Sequence, residues 1–170
     1  SPGIDKNSKI VKKAKKLNIP IVGEIEFASW FTNSPIVAVT GSNGKTTTVN
    51  ALYEMCQTRR FRAMLGGNVG TPFSSNVLDE INQKNQNNIH ILEISSFQME
   101  TIVHFKPNIC VFLNISPDHL NRHGTIEKYI KMKLNMAKNL KKDDSIVYNI
   151  DDNKLKNSFK NHSSKQFPFS

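Results

Sequence analysis

Pro35-Ile36-Val37-Ala38-Val39-Thr40-Gly41-Ser42-Asn43-Gly44-Lys45-Thr46-Thr47-Thr48 is the stretch on which the fold turns. Residues 35–40 are apolar and largely β-branched, the pattern of a strand buried on both faces. Gly41 and Gly44 let the main chain come close to a ligand, and a helix is predicted from about 45 to 58. A helix N-terminus offers unpaired N–H groups and partial positive charge to an anion. Lys45 adds a full charge, and the Thr46 hydroxyl suits Mg²⁺. The stretch therefore predicts a phosphate loop made of Gly41, Ser42, Asn43, Gly44, Lys45, Thr46, Thr47 and Thr48. The general pattern G-x-x-x-x-G-K-[ST] is matched incompletely, since it asks for Gly where this chain has Val39.

Outward from the loop, strands are predicted over 19–22, 62–65, 89–94, 109–115 and 145–149, the last clear one. Helices are predicted over 10–17, 24–31, 72–81, 96–103 and 125–140. Short apolar runs alternating with helices point to an α/β fold, a mostly parallel sheet flanked by helices. The polar segment 83–88 reads as an exposed loop. Residues 1–33 read as the tail of a preceding α/β domain, joined at Asn33-Ser34-Pro35 to a central domain over 34–170. The first residue is Ser, and Phe167-Pro168-Phe169-Ser170 ends without a capped helix, so a fragment of a longer protein is expected.

The net charge of +9 comes from 23 Lys and Arg against 14 Asp and Glu. A nucleic-acid partner would want these cations clustered, with aromatic rings between them. They are instead scattered, as at Lys12-Lys13, Arg59-Arg60 and Lys141-Lys142, so no nucleic-acid partner is expected. Cys56 and Cys110 stand alone, without metal or redox spacing, and read as small apolar residues in a reducing compartment. No apolar run approaches a membrane span. A soluble, cytoplasmic, monomeric enzyme of small molecules is expected.

Four more stretches carry a resemblance besides Ser1-Pro2-Gly3: Gly23-Glu24-Ile25-Glu26-Phe27, Gly66-Gly67-Asn68-Val69-Gly70, Glu93-Ile94-Ser95-Ser96-Phe97-Gln98-Met99-Glu100, and Asn114-Ile115-Ser116-Pro117-Asp118-His119-Leu120-Asn121-Arg122-His123-Gly124. With the shortened loop G-x-N-G-K-T-T, they resemble the Mur ligase family along the whole chain. The loop alone would indicate only the wider ligase superfamily. The Ser-Ser-Phe-Gln-x-Glu and Gly-Gly-Asn-x-Gly stretches are similar to the branch that adds D-glutamate to UDP-N-acetylmuramoyl-L-alanine. The resemblance implies a three-domain enzyme that uses ATP and two Mg²⁺ ions and forms an acyl phosphate. Another ligase of the superfamily (a different Mur enzyme or folylpolyglutamate synthase), a nucleic-acid-stimulated NTPase, and an inactive nucleotide-binding fragment stay open as alternatives.

Glu93 ends an apolar strand, where parallel sheets place ligand-binding groups, and can hold Mg²⁺ beside the phosphates. His119 follows the next strand in a turn. Histidine is an unusual magnesium ligand on general grounds, and the resemblance implies that it binds the second ion. His123 completes no zinc set, and His90, His104 and His162 read as structural or surface residues. On the helix over 125–140, Lys133 falls in the apolar stripe of Ile126, Ile130, Ala137 and Leu140. Such a lysine is disfavoured in its charged form. A neutral amine can take up CO₂, and the resemblance, through Tyr129 and Lys133, implies a carbamylated lysine bridging magnesium. It also implies that Asn68 approaches the acyl phosphate and that Ser95 and Gln98 face the UDP-muramoyl substrate. Lys45, Asn68, His119 and Lys133 are thus the expected catalytic set, and Thr46, Glu93, His119 and Lys133 the expected metal set.

Overall fold

Every residue of β1 (Ile36–Thr40) is buried, as its unbroken apolar run requires. The computed structural model describes residues 4–5, 7–83, 87–116 and 124–170. Side chains of β1 alternate between two cores. Ile36 and Ala38 join a larger one, and Val37 and Val39 a smaller one on the opposite face. Period-two alternation with both faces apolar is what a central parallel strand shows. The other strands are β2 (Arg62–Gly67), β3 (Asn88–Glu93), β4 (Ile109–Phe112), β5 (Ser145–Asn149) and β6 (Lys165–Phe169), in the order β2-β3-β1-β4-β5-β6. All five pairings are parallel.

Helices cover both faces. The smaller core is closed by α3 (Lys45–Cys56), through Val49, Leu52, Tyr53 and Cys56. The larger is closed by α2 (Glu24–Ser29), α4 (Phe73–Asn82), α5 (Ile126–Leu134) and α6 (Asn153–Phe159). Helix α1 (Lys9–Lys16) buries none of its residues. Thr125 caps α5 by accepting from Lys128 N, and Asp152 caps α6 by accepting from Lys154 N and Leu155 N.

The structure differs from the sequence reading in several places. Residues 19–22 form no strand, and Ile19, Ile21 and Val22 are 54%, 42% and 36% exposed, because no neighbouring strand pairs with them among the described residues. The helix over 96–103 shrinks to one 3₁₀ turn, Gln98–Thr101. There the N–H groups of Val103, His104 and Phe105 are taken by the Glu26 carboxylate at 2.9–3.0 Å, which leaves them unavailable to a helix. The helix over 125–140 gives way after Leu134 to a 3₁₀ turn, Asn135–Ala137. Asn88, placed in a loop by its polarity, opens β3 and is buried. Helix α6 and strand β6 were not foreseen. Strand β6 contains Pro168 and is largely exposed, which an edge strand tolerates.

From α4, Glu80 ties the segment before β1 to the sheet. Its carboxylate accepts from Thr32 Oγ1 at 2.8 Å and Ser34 Oγ at 2.7 Å, and it meets His90 Nε2 at 2.7 Å. Burial lowers the affinity of His90 for a proton, and Glu80 only partly offsets this. Cys110 is fully enclosed, and burial first, then the charge of Asp144, pushes its thiol well above the ordinary value.

The connections place the site. From β1 the chain runs out to β2, returns to β3 beside β1, then crosses to β4 on the other side. Ligands in open α/β sheets sit where the winding reverses, outside the carboxyl ends of the strands. At that end Val39 and Gly67 both stand in register with Glu93, and Thr40 with Phe112.

Candidate nucleotide and metal site

The loop leaves β1 at Gly41 and enters α3 through Gly44, whose φ of 82° reverses the backbone in a region that side chains with a Cβ rarely adopt. Lys45 folds back over the loop, its Nζ donating to Gly41 O at 2.9 Å and Ser42 O at 3.0 Å. One residue on, Thr46 Oγ1 donates to Glu93 Oε2 at 2.7 Å, and the other oxygen, Oε1, accepts from Asn68 Nδ2 at 2.7 Å. Asn68 N donates to the Glu93 carbonyl at 2.8 Å. Gly67, with φ at 98°, makes this approach possible, because a Cβ there would run into the Glu93 carbonyl oxygen. Thus the first turn of α3 and the turn after β2 together fix one carboxylate at the end of β3 that is only 2% exposed.

Lys133 reaches the same loop from α5. It is 2% exposed, its Nζ donates to Gly41 O at 2.8 Å, and the ammonium lies 4.8 Å from the Tyr129 ring centroid. The Tyr129 hydroxyl is 3.1 Å from Ser42 Oγ. Lys45 and Lys133 therefore converge on one carbonyl oxygen. A cavity of about 220 Å³ opens beside them, lined by Lys45, Asn68, Ser95, Ser96, Phe97, Tyr129 and Lys133.

Other residues singled out in the sequence take different places. Gln98 does not line this cavity; its Oε1 accepts from Ser95 N and Ser95 Oγ, both at 2.9 Å, so it holds Ser95 in the wall. Thr47 is exposed, and Thr48 Oγ1 turns back to Gly44 O at 2.9 Å. Asn43 is exposed on the outer limb of the loop. His119 and His123 lie outside the described residues. His162 Nδ1 meets Ser164 Oγ at 2.9 Å, far along the chain in the turn before β6.

Among the described residues no group of three His, Cys, Asp or Glu gathers to hold a metal. A hydroxyl and a carboxylate in contact, next to a phosphate loop, fit a different kind of site. Magnesium takes one or two protein oxygens and completes its octahedron with water and phosphate. Thr46 and Glu93 supply such a pair. The turn after β4 was read in the sequence for His119, while Asn114 and Ser116 were given no part in the site: they brace the loop, yet nothing local to them signals a partner some seventy residues earlier.

A parallel sheet with a glycine-rich loop after its central strand, and a Lys-Thr pair opening the next helix, defines a phosphate-loop α/β domain. Residues 39–170 match the family model for the Mur ligase middle domain. The chain belongs to the Mur ligase family. It is 41% identical over 156 residues to the UDP-N-acetylmuramoylalanine--D-glutamate ligase of Lachnoclostridium phytofermentans, covering 92% of this chain and 34% of that protein. The chain spans about a third of the length of such curated relatives. Among solved structures it resembles MurF ligase from Thermotoga maritima in complex with ADP, with a TM-score of 0.66 and 24% identity over 96% of this chain and 37% of that one. It also resembles the UDP-N-acetylmuramate:L-alanyl-gamma-D-glutamyl-meso-diaminopimelate ligase of Neisseria meningitides, with a TM-score of 0.72 and 16% identity over 99% of this chain and 56% of that one. At such identities these likenesses speak for the fold. Among the described residues no helix is long and apolar enough to cross a membrane.

Proposed function

We propose that this chain is the nucleotide- and metal-binding core of an ATP-dependent amide ligase, and that the complete protein joins D-glutamate to UDP-N-acetylmuramoyl-L-alanine in peptidoglycan precursor synthesis. The observation that carries this is Glu93, held by Thr46 and Asn68 at 2.7 Å each beside the loop that Lys45 covers. The names of the curated relatives support the choice of substrates. Residues 34–170 then form the central ATP-binding domain, and residues 1–33 the end of the UDP-binding domain with its linker.

In the reaction the L-alanine carboxylate oxygen bonds to the γ-phosphorus as the bond to ADP breaks. The D-glutamate amine then attacks the acyl carbon, loses a proton, and phosphate leaves as the amide forms. Lys45 and the first-turn N–H groups of α3 neutralise the triphosphate. Thr46 and Glu93 would hold one magnesium ion, and His119 with Lys133 the second. Bound there, magnesium supplies Lewis-acid stabilisation of charge on the transferring phosphoryl group. For Lys133 to serve, its neutral amine adds CO₂ and releases one proton, giving a carbamate. Lys133 is among the residues that line the cavity of about 220 Å³, which offers space for the added atoms. Ser95, held by Gln98, would face the UDP-linked substrate, and Asn68 its acyl phosphate.

The test is phosphate release by the full-length protein given ATP, Mg²⁺ and UDP-N-acetylmuramoyl-L-alanine. Release should require D-glutamate, and Lys45→Ala should reduce it to below about a tenth. Dependence on another amino acid would move the chain to another branch of the ligase superfamily. Stimulation by DNA or RNA, or full activity of Lys45→Ala, would refute the proposal.

A further inference from the structure

We infer that Asn114 is a positioning residue for the nucleotide: its side-chain amide, paired with the main chain of Asn43, holds the phosphate loop in the shape that receives the triphosphate. The inference rests on the reading of that loop as the ATP site.

The geometry is reciprocal. Asn43 N donates to Asn114 Oδ1 at 2.9 Å, and Asn114 Nδ2 donates to Asn43 O at 3.1 Å. Both hydrogen-bonding groups of one loop residue are therefore read by one carboxamide, which carries an acceptor and a donor side by side. The backbone joins in, as Ser42 N donates to Asn114 O at 3.0 Å. Two residues on, Ser116 N donates to Ser42 Oγ at 3.0 Å, and Ser42 Oγ donates to Ser116 O at 2.9 Å. The turn after β4 thus lies along the outer limb of the loop as a template.

The template is itself held from behind. Ile115, between the two loop-facing residues, turns its peptide the other way: its N–H donates to Asp152 Oδ2 at 2.6 Å and its carbonyl accepts from Lys154 Nζ at 2.8 Å. Asp152 is the N-cap of α6, so the turn is pinned to a helix end.

The physical need is plain. A loop with glycines at 41 and 44 has more backbone freedom than most, and a ligand that had to order it would lose affinity to that entropy. Asn114 occupies the N–H of Asn43, and its carbonyl that of Ser42. This fixes the outer limb and aims the first turn of α3, with its unpaired N–H groups, at the anion. Asn43 is exposed, so water can replace Asn114 at little cost to folding. What would be lost is the loop's shape.

The experiment measures MgADP binding by titration calorimetry, KM for ATP and for the UDP-linked substrate, and the melting temperature without ligand. It uses the full-length protein and the variants Asn114→Ala, Asn114→Asp and Lys45→Ala. Asn114→Ala should weaken MgADP and raise KM for ATP about tenfold, the worth of one to two neutral hydrogen bonds. KM for the UDP-linked substrate and the melting temperature should stay put. Asn114→Asp keeps the shape and one acceptor but sets an anionic oxygen against the Asn43 carbonyl, so it should bind MgADP no better than the alanine variant. Wild-type binding by either Asn114 variant overturns the inference. So does a lowered melting temperature with both KM values raised alike, which would make Asn114 a residue of the fold. Loss of MgADP in Lys45→Ala alone would leave the nucleotide site standing while this inference falls; wild-type binding by Lys45→Ala would remove the site itself.

Discussion

Replacing Glu26 by Gln should destabilise the protein by about 3 kcal/mol, because one buried carboxylate gathers donors from two parts of the fold. Glu26 is 0% exposed. Its Oε2 accepts from Val103 N, His104 N and Phe105 N at 2.9, 3.0 and 2.9 Å, and its Oε1 from His104 N at 2.9 Å and Trp30 Nε1 at 3.0 Å. Glutamine has the same shape but puts an N–H₂ where one oxygen stood, so donors face donors. Hydrogen bonds to a charged group are worth about 1.5–3 kcal/mol each and an abandoned buried donor costs about 1–3 kcal/mol. Relaxation of a surface turn brings the sum down to the value given. At this chain size that is a fall in melting temperature of about 6–12 °C. Burial by itself would raise the Glu26 pKa, but the N–H groups of Val103, Phe105 and His104 and the Trp30 indole together hold it below the ordinary carboxylate value. A group depressed on folding stabilises above its unfolded pKa, and that stability is lost as pH falls through the folded value. The difference between wild type and variant should therefore be full at neutral pH and shrink below about pH 4. Urea unfolding at several pH values, followed by circular dichroism and by Trp30 emission, measures both. A difference under about 1 kcal/mol at pH 7, or one that grows on acidification, would refute the reasoning.

Two outcomes bear on the chemistry. Glu93→Gln should lower kcat/KM for ATP by about 10²–10³ at fixed Mg²⁺, since it removes the only charge on the Thr46–Glu93 pair; a loss of less than about fivefold would take the metal away from Glu93. Intact-peptide mass spectrometry under native conditions should find one CO₂ on Lys133, and activity should fall in CO₂-depleted buffer and return with bicarbonate; if neither is seen, the carbamate is wrong.

Legibility in the sequence followed the range of the forces involved. The end of β1, the glycine turn and the start of α3 were readable because apolar alternation, glycine freedom and helix-end electrostatics all act within a few residues. Lys133 was placed on the apolar stripe of its helix by the same local periodicity, and it is buried. By contrast, residues 19–22 have strand-like composition yet no strand beside them. Residues 96–103 look helical, but a carboxylate some seventy-seven residues earlier in the chain captures the N–H of Val103 and of the two residues after it. Strand β6, with its proline and exposed side chains, has no local signature, and only its pairing with β5 makes it a strand.

By itself, then, the amino-acid order determined which segments could be strand, turn or helix, and which side chains could meet phosphate or magnesium. Tertiary structure alone decided that Glu93 is held by Thr46 and Asn68, that two lysines share the Gly41 carbonyl, and that Asn114 lies against Asn43. Apart from the local reach of Lys45 back to Gly41, these contacts join residues 25 to 92 positions apart, across strands laid down in the order β2-β3-β1-β4-β5-β6. Local propensity does not encode such separations; the register of parallel strands and the packing of helices across them do.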